Sequence, residues 1–141
     1  MKRLLIIIFV LFLAGLLFVG WSMFGDHSTF YAGLDHWEGL PSTATDITVY
    51  HNRNISGIFM ADFKIAESNF VSFAAEKGWR VQPISGPVDV YHARAFHERR
   101  EHDRKKITDG LYFSERAGNG GGVTLAYDRK EGRGYIESSS R

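Results

Sequence analysis

Cysteine is absent from this 141-residue chain. That excludes a disulfide framework, thiolate zinc sites and a cysteine nucleophile. Proline is scarce, with three residues, and Pro41 in Leu40-Pro41-Ser42 is placed to break any helix there, because the residue before proline avoids the helical region. Net charge is nearly absent, at +1, far from the basic footprint of a nucleic-acid binder. No G-x-S-x-G elbow and no G-K-[ST] phosphate loop occurs. Neither a 20–50-residue repeat nor a low-complexity tract is present.

One absence is also a feature: Leu4 to Phe24 contains no charged residue, directly behind Lys2 and Arg3. As a helix it would run roughly 31 Å at about 1.5 Å per residue, matching a bilayer's hydrocarbon core. Trp21, Met23 and Phe24 spoil a small-x-small cleavage site, so the expectation is a retained single-pass signal-anchor in contact with membrane lipid. Lys2 and Arg3 on one flank and Asp26 on the other predict a cytoplasmic stub at 1–3. The rest then lies outside the membrane, in the periplasm if the cell is Gram-negative. Gly15 and Gly20 are five apart, so GxxxG is missing, and no internal ionisable residue suggests an ion path.

Residues 25–45 read as a juxtamembrane linker, with Phe30, Tyr31, Leu34 and Trp37 at roughly helical spacing. Residues 46–141 read as one small domain. Asp46 to His51 is a strand rich in β-branched and aromatic residues. Asn52-Arg53-Asn54 is turn chemistry. Gly57 to Ile65 alternates, with Phe59, Ala61, Phe63 and Ile65 on one face, so the two strands form a hairpin. Glu67 to Lys77 is an amphipathic helix carrying Phe70, Phe73 and Ala74 on one side, with Gly78 as its stop. Arg80 to Ile84 and Val88 to Tyr91 are short strands. Gly110 to Arg116, Val123 to Asp128 and Gly134 to Ser138 form a three-stranded antiparallel meander. Its first loop, Gly118 to Gly122, suits a hairpin, because it leads into a strand where a phosphate-binding loop needs a helix. The fold class expected is α+β: an N-terminal transmembrane helix, then a mainly antiparallel sheet with one packed helix.

Residues 92–106 (HARAFHERREHDRKK) are where metal chemistry would be sought. His97 and His102 are five apart, about 140° around a helix, whereas a zincin needs i and i+4 on one face. Six basic side chains nearby oppose a cation. The stretch reads as a solvated helix or loop with local Glu–Arg pairs, its net +3 giving a surface around Arg99 and Arg100 for an acidic partner. The adjacent pairs Asp128-Arg129 and Glu115-Arg116 read as surface pairs near hairpin ends.

The pieces Leu40-Pro41-Ser42-Thr43-Ala44-Thr45-Asp46-Ile47, Phe63-Lys64-Ile65, Gly78-Trp79, Gly110-Leu111-Tyr112, Gly120-Gly121-Gly122 and Ala126-Tyr127-Asp128-Arg129 are punctuation residues. Through them, residues 40–141 resemble small bacterial membrane-anchored extracytoplasmic proteins of unassigned activity. The resemblance implies a bacterial extracytoplasmic domain and carries over no catalytic residue.

The expected function is a non-enzymatic, membrane-tethered binding or assembly module, of the kind an accessory subunit of a membrane protein complex provides. Its partner would be another envelope protein, and no cofactor or nucleic acid is involved. The contact residues expected are Phe30, Tyr31, Trp37, Arg99 and Arg100. One alternative is a small metal-dependent hydrolase using His97, Glu101 and His102, with a distant ligand such as His51. Another is a lipid- or glycan-binding envelope domain using the sheet's open face.

Overall fold

The computed structural model describes residues 2–25, 27–53, 57–100 and 102–140, with the side chains of the N-terminal helix described from Ile6 to Ser22. That helix, α1 (Lys2–Phe24), is uninterrupted. Its apolar side chains, including Phe9, Phe12, Leu17 and Trp21, are exposed. Nevertheless, no helix among the described residues is long and apolar enough to cross a membrane. This corrects the transmembrane helix at 4–24. The single-pass, signal-anchor and extracytoplasmic assignments built on it lose their basis.

The α+β architecture is present, and its sheet is mostly antiparallel. The strands are β1 (Ser28–Leu34), β2 (Thr45–Asn52), β3 (Ile58–Lys64), β4 (Gln82–Pro83), β5 (Val88–Val90), β6 (Lys105–Ile107), β7 (Gly110–Arg116), β8 (Gly122–Asp128) and β9 (Arg133–Ser139). The helices after α1 are α2 (Glu67–Glu76) and α3 (Ala93–His97). Seven strands form one sheet in the order β1-β2-β3-β9-β8-β7-β4, while β5 and β6 pair separately.

The expected hairpin is β2–β3, with Val49 opposite Ala61. The expected meander is β7–β8–β9. Its last strand docks antiparallel on β3, Asp62 opposite Tyr135, which joins the two halves into one sheet. Segment 25–45 departs from the helical spacing of its aromatics: it contains strand β1, paired antiparallel with β2 as far as Leu34 opposite Ile47. The apolar residues there serve two opposite faces, which a strand provides and one helix face does not.

Alternation along the strands sorts the side chains between the faces. On the first, Ile47, Val49, Ala61, Phe63 and Leu125 pack with α2's Phe70, Phe73 and Ala74. The helix starts at Glu67 and ends through Gly78, whose φ of 78° is the left-handed stop the sequence suggested. Tyr127 closes this core by donating its hydroxyl to the Ile65 carbonyl at 3.0 Å. Gly134 leaves room for α2: an added Cβ would sit 2.9 Å from Phe70 and 3.0 Å from Phe63. At Gly122 a φ of 136° brings the backbone against β7, and a Cβ would lie 2.1 Å from the Glu115 carbonyl oxygen.

The second face is covered by the excursion between β4 and β7. Val90 and Ile107 of the β5–β6 pair seal Ala126 and Tyr135. Ala93 of α3 seals Tyr50 and Met60, with Phe30 and Phe96 packed alongside.

Candidate functional site

The sheet's two edges are unequal. One ends in β4, two residues long and finishing in Pro83, which has no backbone N–H to offer; β4 covers only Leu111 and Tyr112 of β7 and leaves Phe113 to Arg116 with β8 alone among the described residues. The other is β1, seven residues long, with β2 as its one neighbour in the sheet. Thr29, Tyr31, Ala32 and Gly33 are exposed along it. A strand in that position presents unpaired main-chain donors and acceptors.

A groove of about 620 Å³ lies beside this edge, lined by His27, Thr29, Tyr31, Trp37, His51 and Arg53, with Ser28. The register explains its composition. Thr29 stands opposite His51 and Tyr31 opposite Val49, so Thr29, Tyr31 and His51 share one face of the β1–β2 pair, and Arg53 lines the same groove just past the end of β2. Trp37 follows β1, packs partly on the apolar core and stands 5.5 Å from the Tyr31 ring. Thr29 donates its hydroxyl to the His51 carbonyl at 3.3 Å. The His51 ring meets Phe59 edge-on at 6.0 Å. Burial, reinforced by the positive charge of Arg53, holds the His51 pKa below the ordinary 6.5. No carboxylate lines the groove among the described residues.

The five expected contact residues fall in two places. Tyr31 and Trp37 belong to the groove. Phe30 points to the opposite face, where its ring stacks on His97 at 4.1 Å and the Arg94 guanidinium lies 5.8 Å from its centroid. Arg100 is engaged locally with Glu98, and with Asp103 at 3.4 Å. Arg99 sits at the turn beyond α3 with a φ of 55°.

The metal alternative is not assembled by the fold. His97 packs on the α3 side of the sheet, while His51 faces the α2 side. His102 is exposed, and Glu101 lies outside the described residues. Among the described residues no group of three or more acidic or histidine side chains is placed to hold a metal ion.

A polar seam lies under the excursion, where sequence reasoning saw no cluster. The Arg133 guanidinium donates to Asp62 at 2.6 and 2.8 Å and to the Asp46 carboxylate at 2.9 Å. Burial opposes its charge, but its bonds to Asp46 and the nearby charge of Asp62 outweigh that and hold its pKa up. Asp62 also accepts from the Ala93 N–H at 3.4 Å, tying α3 to the sheet. Next along the seam, Lys105 pairs with Glu131 and lies 3.8 Å from Asp128. Tyr135 donates to Glu131 at 3.2 Å. Burial first, then the charges of Glu131 and Asp62, raise the Tyr135 pKa. The ion pairs expected between chain neighbours are replaced by long-range ones: Arg129 binds Glu67 at 2.8 Å and Asp109 at 2.9 Å, and Arg116 binds Glu137. Every cation of the seam has a carboxylate partner, so it reads as structure.

No protein family, no curated protein and no solved structure matches this chain.

Proposed function

We propose that this protein is a non-enzymatic binding or assembly module whose contact surface is the β1 edge together with the groove beside it. One observation carries the reading: the seven-residue edge strand β1 is left open directly beside the groove that Tyr31 and Trp37 line. Open edges are a hazard that folds ordinarily blunt, and strand addition is a common use of one that is kept. Aromatic side chains of this kind supply large contact area at small entropic cost.

Site-specific photo-crosslinking in the native cell tests this. A benzophenone amino acid at position 29 or 37 is expected to give a discrete protein adduct. The same group at Val71, exposed on α2, is expected to give none. Equal labelling from all three positions, or none from 29 and 37, removes the reading.

A further inference from the structure

We infer that the occupant of this surface is an extended, acidic peptide segment of a partner protein, added as a strand along β1 with its acidic side chains over the groove. The inference rests on the proposed contact surface and names the partner's chemistry. Two independent observations converge. The first is main-chain geometry: among the described residues β1 has β2 as its one sheet neighbour, and strand addition from Thr29 onward extends the sheet on the other side. The second is charge. Arg53 stands on the groove side with the hydrogen-bonding rings of His27 and His51, and no carboxylate is among the described lining residues. No carboxylate among the described residues pairs with Arg53, in contrast to Arg100, Arg116, Arg129 and Arg133. A guanidinium just past the end of β2, beside the edge strand β1, favours a carboxylate on the incoming chain. The apolar residues that alternate with the acidic ones then lie on the opposite face, beside Phe30, because a strand sends successive side chains to opposite faces. A membrane surface or a neutral glycan would not use the strand's main-chain groups, so the two kinds of occupant are separable.

The full chain is tested with a synthetic seven-residue peptide of alternating valine and glutamate. Controls are its valine–lysine counterpart and a glutamate peptide N-methylated on alternate amides. The expected result is added amide protection within residues 29–33 with the acidic peptide, binding at least about tenfold weaker for the lysine peptide, and loss of protection with the N-methylated one. Arg53→Gln should shrink the acid-over-base preference several-fold while leaving the fold intact.

A second measurement reads the charge without depending on peptide affinity. The chain has no cysteine, so Thr29→Cys gives a single thiol in the groove. It should react faster with an anionic aromatic disulfide, relative to dicationic cystamine, than a cysteine at exposed Val71 does. Arg53→Gln should cut that ratio at least about threefold. Equal protection by acidic and basic peptides, with no rate preference at position 29, overturns the acidic partner and leaves the contact surface standing. Protection by no peptide, together with absence of crosslinks from positions 29 and 37, removes both. Oligosaccharide or lipid-vesicle binding that shifts Tyr31 and Trp37 without protecting β1 also overturns the proposal.

Discussion

On one face of the sheet Phe63, Phe70 and Leu125 meet with no solvent exposure, and α2 closes over them with apolar atoms. On the other face Asp62, Arg133, Asp128 and Glu131 lie between two small apolar patches, and the excursion through β5, α3 and β6 closes over ion pairs. The first closure needs only area and shape. The second needs each charge to find its partner across long stretches of chain. Burial on the first face is therefore worth what its atoms lose by truncation. The seam on the second face fixes position and register, and its net worth is small because desolving the charges offsets their attraction.

The largest effect should come from the dry face. Phe70→Ala removes a fully buried ring and should cost about 3–5 kcal/mol, measured by denaturant unfolding. A loss under about 1 kcal/mol would mean that α2 is not the lid described. Next, Asp62→Ala strands Arg133 in a site where only 15% of its side chain is exposed. We expect a loss of about 2 kcal/mol. The double variant Asp62→Ala/Arg133→Met should recover much of that, since the unpaired charge is then gone. No recovery would show that the seam stabilises outright, and the contrast between the faces would fail.

The third effect is pH dependence. Bonds from Arg133 hold Asp46 below its ordinary 3.8, and Lys105 holds Glu131 below its ordinary 4.5. Depressed carboxylates stabilise the folded state above their unfolded pKa, and that contribution is lost as pH falls through the folded values. Stability should thus be level near neutral pH and decline below about pH 4.5. Asp46→Asn with Glu131→Gln should flatten the decline, whereas Phe70→Ala should lower the whole curve without reshaping it. Smallest of all, Glu98→Gln breaks an exposed pair with Arg100 and should change stability by no more than about 0.5 kcal/mol.

Much of the dry face is legible in the sequence because its signals are local. Phe59, Ala61, Phe63 and Ile65 alternate, and Phe70, Phe73 and Ala74 repeat at helical spacing, so periods of two and 3.6 announce β3 and α2 before any tertiary contact exists. The groove is harder to see. His27, Thr29 and Tyr31 do alternate, but Phe30, Leu34 and Trp37 overlay a helical spacing on the same segment. Pairing with β2 decides between the two. His51 reads as a strand end and Arg53 as turn chemistry; the register opposite Thr29 gives His51 a common face with Tyr31, and the folded turn brings Arg53 to the same groove. Asp62 and Arg133 are 71 residues apart, so no spacing rule connects them. The apolar run at 4–24 carried too broad a claim. The run forms helix α1, but no helix among the described residues is long and apolar enough to cross a membrane.

By itself, then, the sequence determined the α+β class, helix α2, the β2–β3 hairpin, the C-terminal meander and the absence of thiol chemistry. Each depends on neighbours within a dozen residues or on composition. Only the tertiary structure decided that β9 bridges the two halves, that β1 becomes an open edge, that His97 and His51 part to opposite faces, and that Tyr31, Trp37 and Arg53 meet in one groove. These depend on which strands pair and in what register, a choice made by burial across the whole chain rather than by any local run of residues.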